Sequence, residues 1–182
     1  MKNFKLFIGF ALIAWFLVTG CKKHSKTETD IRENLVGTYT GNKQSIIKWS
    51  TISSVFSDST RNDNITFKVS IDSTASDGLV ITESGPVSFP SLRYKANAVT
   101  ATSVGIVFSI PQQAVTITFN NTSVTVDIKG LKSYTSNNIM YDGGYTTANK
   151  QIIIGYTGTL QAPVQQITVT VPYTSVNTGT KQ

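Results

Sequence analysis

Residues 115–128 read VTITFNNTSVTVDI, and they carry the clearest β-hairpin pattern of the chain. On both sides of Asn120-Asn121, apolar residues alternate with polar ones, which is the period of a strand with one buried face. Asparagine suits a tight turn, so the two flanking segments are predicted to pair antiparallel. The segment therefore predicts an antiparallel sheet with one apolar face to hide.

Further strand and turn patterns lie on both sides of this hairpin. Asp77-Gly78 predicts a tight turn between two antiparallel strands, and Asp142-Gly143-Gly144 predicts another turn. Strands are also predicted at residues 35–41, 65–71, 79–83, 104–110, 131–134, 151–160 and 165–171. Residues 42–64 are harder to interpret, because a strand, a short helix and a lid all fit their pattern.

The spacing of these patterns predicts the fold class. Roughly eight to ten short strands with no convincing long helix between them indicate a single all-β domain with an antiparallel sheet. Such a sheet must close into a barrel or stack as a two-layer sandwich to hide its apolar face. We assign the domain to residues 35–176, and we expect residues 177–182 to form a frayed tail.

The N-terminus has the layout of a secretory signal peptide. Lys2 and Lys5 precede a largely apolar run, residues 6–18, which ends in small residues. This run is shorter than the roughly 20 apolar residues of a membrane-spanning helix. Residues 1–20 are therefore predicted to be cleaved.

The residues at the predicted cleavage site, Val18-Thr19-Gly20-Cys21, resemble the lipobox of bacterial lipoproteins. The resemblance implies that Cys21 is acylated and holds the chain on a membrane, with residues 21–34 as the lipidated cysteine and a polar tether. Two or more acyl chains anchor a protein stably, whereas one holds it only reversibly. The alternative is an ordinary secretion signal with an incidental cysteine.

The basic residues after Cys21 bear on location. Lys22 is unlike the aspartate associated with retention in the inner membrane, so the resemblance implies an outer-membrane lipoprotein. Surface export in some Gram-negative lineages uses acidic residues at these positions, so the periplasmic face is favoured over the cell surface. Other basic residues are scattered singly and form no stripe for a phosphate backbone, which argues against nucleic acid as a partner.

The domain lacks the usual catalytic groups. His24 is the only histidine and lies in the tether, and Cys21 is the only cysteine. A Ser-His-Asp arrangement or a histidine metal site therefore cannot be built in the domain. Four of the carboxylates in the domain are candidates for an acid–base pair, but no pattern positions two of them together: Asp72, Asp77, Glu83 and Asp127. The sequence predicts no enzyme, no metal and no cofactor.

A second resemblance begins at residues 35–39, LVGTY, where a short helical turn leads into Gly-x-aromatic. This looks like the start of lipocalin and calycin barrels, although Tyr39 stands where lipocalins usually carry tryptophan. The resemblance implies a closed barrel of about eight strands, with its first and last strands paired. It also implies a possible small apolar ligand inside, with Trp49 and Phe56 of the covering loop as candidate contacts. The alternative is that these two side chains pack in the core.

Two functions remain open at this point. The first is a lipid-anchored cell-envelope binding protein that holds a small apolar ligand or a glycan fragment. The second is a structural or interaction lipoprotein with a filled core, which binds or inhibits another envelope protein. An interior cavity of roughly 300 Å³ or more would favour the first function. A filled core with an exposed apolar patch or an open strand edge would favour the second.

Overall fold

The computed structural model describes residues 29–85, 92–119, 122–164 and 167–182. Cys21 and the predicted signal peptide lie outside these residues. The described residues form twelve strands: β1 (Gly37–Ile47), β2 (Ser59–Ile71), β3 (Gly78–Ser84), β4 (Leu92–Ala101), β5 (Gly105–Ser109), β6 (Gln113–Phe119), β7 (Thr122–Gly130), β8 (Tyr134–Ser136), β9 (Ile139–Tyr141), β10 (Gly143–Thr146), β11 (Gln151–Val164) and β12 (Ile167–Lys181). Two short 3-10 helices, Ile31–Asn34 and Trp49–Thr51, flank β1. Neither described helix is long and apolar enough to cross a membrane.

Eight antiparallel strands close into a ring. Hydrogen-bonded neighbours follow the order β10-β5-β4-β3-β2-β1-β12-β11, and β11 pairs with β10 again. The first and last strands, β1 and β12, are paired from Tyr39–Lys181 to Ile47–Tyr173. This arrangement confirms the predicted all-β antiparallel fold, and it satisfies the strand edges within the ring.

The hairpin of β6 and β7 extends the sheet from β11. β10 pairs with β11 up to Ile154, and β7 pairs with the same edge of β11 from Tyr156 to Leu160. β6 then approaches β4 through one side chain, because the Gln113 carboxamide both donates to the Lys95 carbonyl and accepts from the Lys95 N–H, each at 2.8 Å. An amide side chain thus substitutes for a neighbouring strand. The β6–β7 pairing confirms the hairpin predicted at residues 115–128.

The interior is packed with side chains that alternate inward along the strands. Tyr39 on β1 stacks on Phe67 of β2 with ring centroids 5.2 Å apart, and Tyr145 meets Tyr39 edge-on. The Tyr39 hydroxyl donates to the Leu35 carbonyl at 2.7 Å, which ties the helical turn before β1 to the core. Among the described residues, aromatic and branched aliphatic side chains fill the ring.

The predicted frayed tail is wrong. β12 continues to Lys181 and is paired with both β1 and β11, so residues 177–181 lie between two strands. Asn177 and Gly179 are buried. Their polar or small side chains gave no apolar alternation, and for this reason the strand was missed.

The predicted turn at Asp142-Gly143-Gly144 is also wrong, because both glycines stand in β10 between β5 and β11. A Cβ atom on Gly143 would lie 2.2 Å from the Phe108 ring. One on Gly144 would lie 2.3 Å from the ring of Tyr134. These glycines therefore allow close packing rather than reversal of the chain.

Candidate functional site

Residues 48–58 form a loop at one end of the ring. We call this end the far end, because β1 starts beside the predicted tether and ends at this loop. Here Trp49, Ile52, Phe56 and Ser57 line an open depression of about 410 Å³ together with Val169 of β12. We call this the far-end depression. The structure thus brings together Trp49 and Phe56, the two ligand-contact candidates from the sequence, in one open depression at the end of the ring.

The loop around the depression is held by one carboxylate. Asp58 accepts hydrogen bonds from Lys48 Nζ at 2.8 Å, from the Ser50 hydroxyl at 2.6 Å and from the Ser50 N–H at 3.1 Å. The bond from Lys48, followed by those from Ser50, lowers the pKa of Asp58 to about 2. Trp49 Nε1 donates to the Ser59 hydroxyl at 3.1 Å, so the indole has a fixed orientation.

The loop exposes apolar side chains to solvent. Val55 is 82% exposed and Phe56 is 52% exposed, while Ile52 is half-buried. Isolated apolar residues on a surface are ordinary, but neighbouring ones around a depression are typical of a binding surface. Contact with a ligand stays a prediction.

Polar residues occupy the middle of the ring, on the inward-facing positions of five strands. They form the interior polar cluster: Lys43, Glu83, Tyr94, Tyr156, Ser175 and Asn177. Lys43 is 1% exposed and Glu83 is 3% exposed. Charged residues are almost never buried this fully unless they are paired, so the partners of these two side chains are the informative feature.

Glu83 lies at the centre of the interior polar cluster and accepts hydrogen bonds from four of its other members. Its Oε2 accepts from Lys43 Nζ at 2.7 Å and from the Tyr156 hydroxyl at 3.0 Å. Its Oε1 accepts from the Tyr94 hydroxyl at 2.7 Å and from Asn177 Nδ2. One carboxylate thus has four donors. Hydrogen bonds of this kind to a buried charge offset much of the free-energy cost of removing it from water.

Lys43 is equally enclosed. Its Nζ also lies 2.6 Å from the Tyr156 hydroxyl and 5.2 Å from the centroid of the Tyr156 ring. Tyr94 and Tyr173 pack against Tyr156 with centroids 5.3 and 6.1 Å away. The ion pair is therefore surrounded by aromatic rings and shielded from water.

Burial changes the acidity of the tyrosines. It raises the pKa of both Tyr94 and Tyr156 well above the ordinary value, and the negative charge of Glu83 raises each further. The pKa of Tyr39 and that of Tyr173 are also raised, again mainly by burial.

These raised pKa values predict loss of stability at alkaline pH. The free energy of unfolding should stay level up to about pH 10 and then fall by up to about 1.4 kcal/mol per pH unit for each buried tyrosine, because the unfolded chain releases phenolic protons that the folded chain keeps. Denaturant titrations across this range measure the slope, and Tyr94→Phe should reduce it by one proton. If tyrosinate absorbance rises around pH 10 equally in folded and unfolded chains, this prediction fails.

Sequence reasoning missed the interior polar cluster apart from naming Glu83 among four unpositioned carboxylates. The sequence signal for this cluster is the alternation of inward-facing and outward-facing positions along a strand. On β1 the inward positions run Tyr39, Gly41, Lys43 and Ser45, so a lysine occupies a core position. Such an exception to alternation is interpretable only once the strand has been recognised.

The residues that the structure describes contain no group of three or more His, Cys, Asp or Glu side chains that could hold a metal ion. Comparisons with protein-family profiles, curated proteins and solved structures found no match to this chain.

Proposed function

We propose that this chain is a lipid-anchored protein of the bacterial cell envelope that binds another envelope protein through its far end. The observation that carries the proposal is a contrast between the two sites. Among the described residues, aromatic side chains and the interior polar cluster pack inside the ring, whereas the far-end depression is open and apolar. A filled core with an exposed apolar surface favours an interaction protein over a carrier with an internal ligand.

The position of the tether supports a protein partner away from the membrane. The 3-10 helix Ile31–Asn34 is the last part of the predicted tether and precedes the start of β1, whereas residues 48–58 follow the end of β1. Eleven strand residues at about 3.3 Å each place the two ends of β1 roughly 33 Å apart. If Cys21 is acylated, the far end points away from the membrane. We place the anchor in the outer membrane on its periplasmic face, as Lys22 and the lipobox resemblance suggest.

A second candidate function is capture of a small apolar ligand in the far-end depression. Its volume of about 410 Å³ is favourable for this, since ligand sites commonly measure roughly 300–1,000 Å³. The chain contains two tryptophans, Trp15 in the predicted leader and Trp49 in the depression. In the mature chain, a titration with fatty acids would therefore report on this site through Trp49 fluorescence alone.

For the protein partner, we expect a photoreactive phenylalanine analogue at position 56 to form a covalent adduct in living cells. The apolar surface around Phe56 would be covered by the partner, and the analogue would lie within bonding distance of it. The measurement is a band of higher mass, detected with an antibody to this chain after irradiation of intact cells.

Met140 on β9 provides the matched control position, because it is exposed to the same extent as Phe56, 52%. An adduct at position 56 and none at 140 supports the proposal. Adducts at neither position, or equally at both, contradict it. The Cys21→Ser variant, which has no acylation site, should leave the membrane fraction if the anchor is correct.

A further inference from the structure

Lys43 and Asn177 face each other across the first and last strands of the ring. They are directly paired residues in the β1–β12 register, and both side chains point inward. The Cβ atoms of such a pair are about 4.5–5.5 Å apart, which an extended lysine side chain spans easily. Asn177 is 0% exposed, so the amide carbon and the lysine amine share one water-free space.

Glu83 contacts the nitrogen atoms of both residues. Its Oε2 lies 2.7 Å from Lys43 Nζ, and its Oε1 accepts from Asn177 Nδ2. On the other side of the amide, the Ser175 hydroxyl donates to Asn177 Oδ1 at 3.2 Å. An amine, an amide, a carboxylate between them and a donor on the amide oxygen are the groups that transfer of an acyl group from asparagine to lysine requires.

We propose that Lys43 and Asn177 become joined by an amide bond between their side chains, with Glu83 as the catalytic residue and ammonia as the leaving group. Lys43 Nζ first gives a proton to Glu83, which removes two charges from the dry interior at once. The neutral amine then attacks Asn177 Cγ. The new Nζ–Cγ bond forms as the carbonyl electron pair moves to Oδ1, where the Ser175 hydroxyl stabilises the negative charge.

Collapse of this intermediate breaks the bond between Cγ and Nδ2 of Asn177. Of the three protons that Nζ carries as an ammonium, one stays in the new amide. The other two pass through Glu83 to Nδ2, which leaves as an ammonium ion with its bonding electron pair. The Glu83 carboxylate is regenerated, and no oxidant, metal or other reactant is needed.

Two features of the fold favour the reaction. The ring holds the amine and the amide in place, and fixed reacting groups gain a large rate advantage over groups that must meet in solution. The exclusion of water protects the product from hydrolysis. The bond would also tie β1 to β12 in a chain whose only cysteine, Cys21, leaves it without an internal disulfide.

Peptide mapping of the full-length chain tests the bond directly. Trypsin cuts after lysine and arginine, but an acylated Lys43 resists cleavage. We expect a branched product in which residues 33–48 are joined to residues 151–181, with a mass lower than the sum of the two peptides by one ammonia. Separate peptides 33–43, 44–48 and 151–181 in the wild-type chain would overturn the proposal, whether or not any variant folds.

Variants then test the assigned roles. Lys43→Arg, Asn177→Ala and Glu83→Gln should each abolish the branched peptide. Lys68→Arg, at an exposed position of β2, should leave it unchanged. A branched peptide that persists in full in Glu83→Gln would show that Glu83 is not the catalytic residue. Digestion under denaturing conditions detects the cross-linked peptide even in a variant that has lost stability.

Discussion

Glu83→Ala is expected to lower the free energy of unfolding by about 3–5 kcal/mol, because it leaves Lys43 as a buried ammonium without its carboxylate. The hydroxyls of Tyr94 and Tyr156 and the amide of Asn177 lose the same acceptor. Each buried donor left without a partner adds to the cost. Urea denaturation followed by circular dichroism measures the change.

The double variant Lys43→Met with Glu83→Ala separates the ion-pair effect from any effect of the proposed cross-link. Neither Glu83→Ala nor the double variant can form the Lys43–Asn177 bond through Glu83. The difference between them therefore reports the cost of a buried ammonium at position 43 whose carboxylate has been removed. We expect the double variant to be clearly more stable than Glu83→Ala. Equal stabilities would show that water or another group neutralises Lys43 when Glu83 is absent.

The parts of the fold that sequence predicted are those in which apolar alternation and turn chemistry agree. The β6–β7 hairpin is one case. Another is the turn at residues 72–78, where β2 and β3 return antiparallel as Asp77-Gly78 indicates. In the hairpin and in β2, apolar and polar residues take turns along the strand, so period-two alternation is visible in the residues themselves.

The missed parts are those in which the interior is itself polar or tightly packed. Lys43 lies in the stretch that sequence left unassigned, and Asn177 lies in the predicted tail. Each occupies a core position because the other groups of the cluster satisfy it. That compensation is a tertiary contact between β1, β3 and β12, and no local pattern encodes it. Strand prediction from apolar alternation alone therefore misses the strand segments that carry Lys43 and Asn177 of the interior polar cluster.

The far-end loop shows a different limit. The sequence predicted Trp49 and Phe56 as contacts of one ligand, and both do line one depression, together with Ile52. The place of this depression in the fold depends on where β1 ends, which the sequence pattern left open. The strand ends at Ile47, and the 3-10 turn Trp49–Thr51 follows it at the end of the ring.

Phe67→Ala is expected to cost about 3–5 kcal/mol in the free energy of unfolding, the usual range when a fully buried phenylalanine is truncated. Phe67 is 0% exposed and stacks on Tyr39, so its removal leaves a cavity beside a second aromatic ring. The neighbouring Lys68→Ala is the matched control, since Lys68 is exposed on the same strand and should change stability little. A loss below about 1 kcal/mol for Phe67→Ala would mean that Tyr39 moves to fill the space.

Gly179 on β12 lies against the Phe67 ring and provides a second test of the packing around it. A Cβ atom at this position would lie 2.7 Å from two carbons of the Phe67 ring, so Gly179→Ala alone should cost about 1–3 kcal/mol by overpacking. In the background of Phe67→Ala the obstructing ring is gone, and the added methyl group enters the vacated space. The double variant should therefore lose less stability than the sum of the two single variants. Strict additivity would contradict the close approach of β12 to β2, and with it the burial of the C-terminal residues in the core.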